Sequence, residues 1–158
     1  MDNVQHKELT GVTTGFNTLD RITGGLQPGG MYIVAARPSV GKSTFMGKMV
    51  YNAAKKGLTV GVISLEMTDN QITARISSLA TEIEYWRIYR SRLVDEEQAE
   101  RFYRLTAEVS ELPILISDKT GVDISEIKAK ISRIKRKAIM PLFFIFTPPL
   151  YKVTLLLN

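Results

Sequence analysis

The chain has 158 residues, of which 44% are hydrophobic and 23% charged, as expected for one soluble globular domain with a single core. It has no cysteine and one histidine, His6, which excludes disulfides, thiolate metal sites and a histidine-built zinc site. The net charge of +5 favours polyanionic partners, and the first residues lack a secretory signal, which predicts a cytoplasmic location.

The first half of the chain alternates predicted helices and strands. A short helix around residues 16–22 precedes the apolar run 31–36, which is typical of a strand covered on both faces. Apolar residues then recur at helical spacing over 42–56, and Gly57 is placed to end that helix. A second apolar strand begins at Leu58 and ends in the carboxylate of Glu66. These elements predict a strand–helix–strand unit.

The second half continues the pattern. Thr68 or Asp69 can cap a helix with an apolar stripe that extends to Ile83, and a further helix is predicted from about Asp95 to Ser110. An apolar strand over 112–118 comes next. A last helix, beginning at Asp123 or Ser125, is basic on its outer faces, at Lys128, Lys130, Arg133, Lys135, Arg136 and Lys137. We interpret this face as solvated surface, with DNA contact as the less favoured alternative.

The composition changes over residues 138–158, which carry one charge, Lys152, and three prolines. The prolines and the lysine divide this apolar tail into pieces shorter than the roughly 20 residues that span a bilayer, so we predict no membrane segment. Its β-branched and aromatic residues predict one or two additional strands.

The stretch ARPSVGKST, residues 36–44, lies between the first strand and the first long helix. It matches the phosphate-binding pattern GxxxxGK(S/T) except that Ala36 stands at the first position. In this pattern backbone N–H groups at a helix N-terminus bind phosphate oxygens, Lys42 reaches the β and γ phosphates, and the Ser43 hydroxyl binds Mg²⁺. Ala36 has to adopt an ordinary negative φ for the loop to close. The predicted site comprises Ala36, Arg37, Pro38, Ser39, Val40, Gly41, Lys42, Ser43 and Thr44; the alternative is an ordinary strand-to-helix turn.

The candidate catalytic residues are Lys42 and Glu66. Glu66 follows the second strand, whose carboxyl end faces the ligand crevice in sheets of this class. If the first two strands are neighbours or nearly so, Glu66 can orient or deprotonate the water that attacks a γ phosphate. The alternative is a solvent-exposed glutamate at the start of a loop.

The run TGVTTGFNTLDRITGGLQPGGMYIVAARPSVGKSTF, followed by ISLEM, resembles the motor domain of DnaB-type replicative DNA helicases. The resemblance covers about residues 9–137. It implies an α/β, RecA-like P-loop NTPase fold with a mostly parallel sheet, and ATP and Mg²⁺ as ligands. It also implies a homo-hexamer that moves along single-stranded DNA. In this family alanine is tolerated at the position of Ala36, and Glu66 is the catalytic glutamate.

The resemblance has departures. Because residue 1 aligns just before the linker into the motor, we expect the family's primase-interacting N-terminal domain to be absent. An ungapped alignment places Thr147 where the family has the aspartate of the Mg²⁺ shell. We therefore expect a linker and lead-in segment over 1–30, a partial ATPase core over 31–137, and a divergent tail over 138–158 that replaces the later strands. A frameshift or disrupted gene end is our hypothesis for the tail.

Two functions from different classes remain. By family the chain is an enzyme, the core of an ATP-dependent DNA helicase that unwinds duplex DNA in replication. The alternative is a truncated remnant without helicase activity that holds the nucleotide weakly and hydrolyses it little. Such a remnant either does nothing more or interferes with an intact hexamer by joining it, and for this chain alone we favour this alternative. A membrane-attached peptide is the weakest interpretation. Missing strands also predict exposed apolar surface and self-association.

Overall fold

The computed structural model describes residues 10–37, 39–90, 95–118 and 123–137, and the strands 142–147 and 153–157. Its helices are α1 (Asn17–Thr23), α2 (Lys42–Lys55), α3 (Asp69–Thr81), α4 (Tyr85–Tyr89), α5 (Glu96–Ser110) and α6 (Ile124–Lys137). Its strands are β1 (Met31–Ala35), β2 (Thr59–Ser64), β3 (Ile114–Ser117), β4 (Leu142–Thr147) and β5 (Val153–Leu157).

The five strands form one sheet in the order β1-β5-β4-β2-β3. β2 pairs in parallel with both β3 and β4, while β5 runs antiparallel to its neighbours β1 and β4. β1, β2, β3 and β4 therefore point the same way, and their carboxyl ends share one edge. The predicted α/β fold with a mostly parallel sheet is confirmed. β1 and β2 are not adjacent, however, because β5 and β4 lie between them.

The apolar tail supplies β4 and β5, as its composition predicted. β4 pairs with β2 over its full length, from Thr59 opposite Leu142 to Ser64 opposite Thr147. β5 then fills the position between β4 and β1. The tail thus completes backbone hydrogen bonding between the two halves of the sheet. The divisions of the chain after residues 30 and 137 stay predictions.

The core lies between one face of the sheet and helices α2, α3 and α5. It is formed by apolar side chains at helical spacing together with alternate residues of β2, at Met46, Met49, Val50, Ala53, Val60, Val62, Ile72, Ile76 and Val109. α6 contacts β2, and Lys130 Nζ donates to Ser117 Oγ on β3 at 2.8 Å. A helix therefore packs at the β2–β3 end of the sheet.

The prediction that β1 is covered on both faces is wrong. Its residues alternate between exposed and half-buried, and only Tyr32 and Val34 pack against the core. Met31 and Ile33 are 63% and 58% exposed. The continuous apolar run did not reveal this, because β1 lies at the end of the sheet opposite the strand pair that α6 contacts.

Most helix boundaries follow the predicted caps. Thr68 forms a reciprocal capping box with Gln71 at the start of α3. Asp95 and Asp123 accept backbone N–H groups at the starts of α5 and α6. The predicted extension of α3 to Ile83 is wrong, since the helix ends at Thr81. α4 was not predicted at all.

Candidate nucleotide-binding site

The loop after β1 leads directly into the N-terminus of α2. Gly41 is the N-cap with φ +102°, a left-handed conformation that favours glycine, and Lys42 is the first helical residue. The first backbone hydrogen bond of the helix runs from Phe45 N to Gly41 O. The N–H groups of Lys42, Ser43 and Thr44 therefore have no acceptor one turn back and are free to bind an anion.

The residues of this loop differ in conformation. Ala36 is not among the residues with positive φ, which agrees with the negative φ expected there, whereas Ser39 has φ +65°. A left-handed serine stores backbone strain of about 1 kcal/mol, which is common in ligand-binding loops. Arg37, Val40 and Thr44 are exposed, and Ser43 is half-buried. Pro38 lies outside the described residues.

An N-terminal arm, defined here as residues 10–30, packs on the same helix. The Phe16 ring stacks on Phe45 of the first turn of α2, with ring centres 4.8 Å apart and planes 16° apart. Two turns further along, Asn52 Nδ2 donates to the Thr14 carbonyl at 3.4 Å. Glycine is favoured at position 15 between these contacts because its φ is +79°, and a Cβ there would also displace the Asn52 side chain, whose Nδ2 lies 1.5 Å from the Cβ position.

Asp20 of α1 holds the arm in its folded shape. Its buried carboxylate accepts hydrogen bonds from the Thr13 hydroxyl at 2.6 Å and from both the backbone N–H and the hydroxyl of Thr14, at 2.8 and 2.6 Å. Burial alone would raise the pKa of Asp20, but the hydrogen bonds from Thr13 and Thr14 outweigh it and lower the pKa below 3.8. The carboxylate is therefore ionised and locks the turn before α1.

Glu66 lies in the turn that follows β2. The side chain is exposed. Ser64, which is fully buried, fixes the turn because its hydroxyl donates to the Met67 carbonyl at 2.7 Å and accepts from the Met67 N–H at 2.9 Å. This hydroxyl clamp spans Leu65 and Glu66, so it sets the direction in which the Glu66 backbone leaves the sheet.

The structure brings the loop and Glu66 to the same edge of the sheet without making them neighbours. Three inter-strand steps of about 4.8 Å separate β1 from β2, which places their ends roughly 14 Å apart. The end of β4 lies between them, and its last residue, Thr147, pairs with Ser64. The residue beside the end of β2 therefore carries a neutral hydroxyl and not a carboxylate.

The described part of the chain offers neither a preformed metal cluster nor a membrane-spanning helix. In the ranges given above, no group of three or more histidine or acidic side chains is arranged to hold a metal ion. None of the described helices combines the length and the apolar character needed to cross a membrane.

Comparison with known proteins agrees with the geometry. Residues 11–146 match the family described as DnaB-like helicase C terminal domain. The chain belongs to this family. The match extends from the N-terminal arm into β4, so it includes the phosphate loop, Glu66 and all but the last residue of β4.

Individual members of the family align over most of this chain. The replicative DNA helicase DnaC of Bacillus subtilis (strain 168) is 36% identical over 132 residues, which are 83% of this chain and 29% of that protein. The replicative DNA helicase DnaB of Pasteurella multocida (strain Pm70) is 36% identical over 134 residues, with 84% and 29% covered. The chain thus spans less than a third of the length of these relatives.

Two solved structures share the fold. A DnaB-like replicative helicase, described together with its interactions with primase, superposes with a TM-score of 0.81 at 30% identity, covering 92% of this chain and 35% of that one. A second solved structure, described as an ATPase domain, gives a TM-score of 0.76 at 29% identity, covering 90% and 51%. The RecA-like helicase fold implied by the sequence resemblance is confirmed.

Sequence reasoning missed three residues that shape the site. Phe16, Asp20 and Ser64 do not belong to the phosphate-binding pattern. Phe16 packs on α2, Asp20 holds the N-terminal arm in its folded shape, and Ser64 fixes the Glu66 turn. The role of Asp20 could have been predicted, because Thr14 and Thr13, six and seven residues before it, are residue types whose hydroxyls form hydrogen bonds in turns. The stacking of Phe16 on Phe45 could not have been predicted, because the two residues lie 29 positions apart in the chain.

Proposed function

We propose that this chain is the ATP-binding core of a replicative DNA helicase, with ATP bound at residues 36–44 and hydrolysed with Glu66 as the base. The start of α2 carries the proposal: Gly41 in a left-handed cap, followed by three free N–H groups and the side chains of Lys42 and Ser43. A polyphosphate satisfies those N–H groups and meets the positive end of the helix dipole.

The residues at this site divide the work. Lys42 pairs with the β and γ phosphates, and the backbone N–H groups of Ser43 and Thr44 hold phosphate oxygens. Glu66 is proposed as the base that accepts the proton of the attacking water, and this role requires the bound triphosphate to bridge the roughly 14 Å between the ends of β1 and β2. Ser43 would hold Mg²⁺, which offsets the negative charge of the phosphates. The donor set fits the metal only with the nucleotide present, because Ser43 is the one protein oxygen proposed to bind it.

Unwinding of duplex DNA, assembly into a homo-hexamer and movement along single-stranded DNA are parts of the proposal supported by family membership. The relatives named above are replicative DNA helicases. This chain aligns with 29% of each of them. We therefore propose these activities for a complete motor that contains this chain.

A second candidate function is a nucleotide-holding module with little hydrolysis. One observation favours it: β4 ends at Thr147, opposite Ser64, where a carboxylate would be the stronger support for a divalent ion. Such a module would still bind ATP through Lys42. The two candidates differ in turnover and agree in binding.

The test is ATP binding and single-turnover hydrolysis, with Mg²⁺, of the unaltered chain and of Lys42→Ala and Glu66→Gln. We expect Lys42→Ala to weaken binding by about 10- to 100-fold, the loss of one charged hydrogen-bond donor. Glu66→Gln should leave binding intact and abolish hydrolysis. Glu96→Gln, an exposed glutamate on α5, is the matched control. Binding independent of Lys42 contradicts the proposal, while Lys42-dependent binding without turnover selects the nucleotide-holding module.

A further inference from the structure

The sheet has a second face, opposite the one that packs on α2, α3 and α5. Residues paired across adjacent strands lie on the same face of a sheet. Lys130 of α6 donates to Ser117 of β3, so α6 lies on the face to which Ser117 belongs. A row of paired residues on this face crosses all five strands, through Ser117, Ile63, Phe146, Leu155 and Ile33. The α6 helix and Ile33 therefore share one face, at opposite ends of the row.

The two ends of this row differ in burial. Ile63 lies on β2, which α6 contacts, and is 2% exposed, whereas Ile33 on β1 is 58% exposed. Met31, two residues before Ile33 and on the same face, is 63% exposed. Sheets of parallel strands in α/β proteins are normally covered by helices on both faces. Among the described helices, α6 covers the β2 end of this face, and the β1 end is open.

The open region has the dimensions of one helix. We call it the shelf and define it as the α6 side of strands β1, β5 and β4. Three inter-strand steps, roughly 14 Å in all, separate β2 from β1. Neighbouring helices pack with their axes about 8–10 Å apart, so one helix fits beside α6 and reaches β1. Strands of five or six residues are about 17–20 Å long, the length of a helix of roughly 11–13 residues.

One wall of the shelf is a basic flank of α6. The helix has six basic residues and one acidic residue, Glu126. Successive helical residues are about 100° apart, so Lys128 lies about 200° around the axis from both Glu126 and Lys130. Lys130 reaches β3, the strand at the end of the sheet. Lys128, which is exposed, therefore lies on the flank that faces β4 and the shelf.

The strands of the shelf supply no negative charge to Lys128. The sequences of β1, β5 and β4 contain no charged residue. Within the described part of the chain, Lys128 forms no ion pair. Two carboxylates lie at the carboxyl edge of the sheet, after β2 and β3: Glu66, and Asp118, which accepts from the Asp69 N–H of α3 on the other face. The shelf thus combines an apolar floor with one cationic wall.

We infer that the shelf docks one amphipathic α-helix of a partner protein, with an apolar stripe on Met31 and Ile33 and an acidic residue facing Lys128. A helix docks in such a groove through apolar residues at helical spacing, and charges at the rim select the partner and its orientation. Docking on the shelf involves none of the residues proposed to bind ATP, so this inference is independent of the proposed function.

A second copy of the chain and a lipid surface are the competing occupants. Two copies that met shelf to shelf would bring two basic α6 helices together, and like charges repel. A flat lipid surface would contact the outer side of α6 first, because a helix packed on a sheet stands about 10 Å high. Met31 and Ile33 would then lie below the reach of the lipid. A single helix with acidic residues on one flank meets neither obstacle.

The experiment uses two labelled peptides of about 13 residues with the same leucine stripe, one flanked by glutamates and the other by lysines. A side-chain staple holds each peptide helical, because helices of this length are marginal in water. Fluorescence anisotropy measures the affinity of each peptide for the unaltered chain. At about 50 mM salt we expect the glutamate peptide to bind about 3- to 10-fold more tightly than the lysine peptide. This preference should shrink at about 500 mM salt, because salt screens exposed charges.

Two variants test the wall and the floor of the shelf separately. Lys128→Glu should reverse the preference, so that the lysine peptide binds more tightly; Arg133→Glu, an exposed residue on the outer side of the same helix, is its control. Ile33→Asp should weaken the binding of both peptides by about 10-fold or more, the loss of one buried apolar side chain. Ile22→Asp is the matched control, since Ile22 is 77% exposed on α1. Melting curves establish that each variant is folded, and Ile33→Thr, which keeps a β-branched residue in the strand, replaces Ile33→Asp if that variant is not.

Several results would overturn the inference. Peptide affinities unchanged in Ile33→Asp place the helix elsewhere, and an unchanged preference in Lys128→Glu excludes the charge complementarity. A dimer in sedimentation that Ile33→Asp dissociates and the glutamate peptide does not assigns the shelf to a second copy. Binding to vesicles of anionic phospholipid that Ile33→Asp abolishes, without binding of either peptide, assigns it to a lipid surface. Failure of both peptides to bind at about 1 mM contradicts helix docking outright.

Discussion

The Phe16 ring stacks on the Phe45 ring 4.8 Å away, which joins the N-terminal arm to the first turn of α2. Phe45 follows Lys42 by three residues, so the ring pair lies one turn from the N–H groups that form the candidate phosphate site. The arm is therefore placed to brace the helix end on which nucleotide binding depends.

Phe16→Ala should lower both the melting temperature and the affinity for ATP. An offset aromatic pair contributes about 0.5–1.5 kcal/mol beyond the area it buries, and its loss frees the first turn of α2. Phe16→Tyr is the control, because Phe16 is 38% exposed and the added hydroxyl can reach water. Equal melting temperatures and ATP affinities for the two variants would refute the bracing role.

Asp20→Asn should destabilise the fold at neutral pH by about 1–3 kcal/mol, since a buried acceptor of three hydrogen bonds is replaced by a weaker one. The pKa of Asp20 is lower in the folded chain than its ordinary value of 3.8. Its stabilising contribution is therefore complete above 3.8 and is lost as the pH falls through the lowered value.

Urea unfolding at a series of pH values measures this. The stability difference between the unaltered chain and Asp20→Asn should be constant near neutrality and shrink below about pH 3.8. Asp95→Asn, an exposed N-cap where asparagine caps as well as aspartate, should change stability little. A difference that persists unchanged into acid would show that the carboxylate charge is not involved.

Ser64→Ala should reduce ATP hydrolysis more than ATP binding, because the lost hydroxyl orients the turn that carries Glu66. Thr81→Val is the matched control: its buried hydroxyl also bonds two backbone groups, but at the far end of α3. Single-turnover rates and ATP affinities of both variants separate the effects. Equal rates in the two variants would mean that the Ser64 clamp acts on stability alone.

Ile33→Thr should lower self-association and leave the melting temperature nearly unchanged, because the side chain is 58% exposed on the uncovered face of β1. Val34→Thr, one residue along, buries a hydroxyl against the core and should cost about 1–3 kcal/mol. Sedimentation velocity and thermal melts report the two effects. If Ile33→Thr self-associates as strongly as the unaltered chain, the surface responsible for self-association lies elsewhere.

Local features of the chain were predictable to the extent that their causes are local. The α2 and α5 stripes follow from 3.6-residue periodicity, and the starts of α3 and α5 follow from caps within the next few residues. The sequence did not predict α4, because a helix of five residues is too short to show a helical repeat of apolar residues. The exposure of one face of β1 was not predictable either, because it depends on which helices pack against that strand in the folded chain.

The sequence by itself determined the α/β class, the phosphate-loop pattern with Ala36 in place of glycine, and the candidate roles of Lys42, Ser43 and Glu66. These depend on residue type and short spacing. Only the tertiary structure decided that β5 and β4 separate β1 from β2, that Thr147 lies opposite Ser64, and that Phe16 packs on Phe45. Such relationships arise from strand pairing and packing between distant segments, whose partners are chosen by the whole fold and not by their neighbours in the chain.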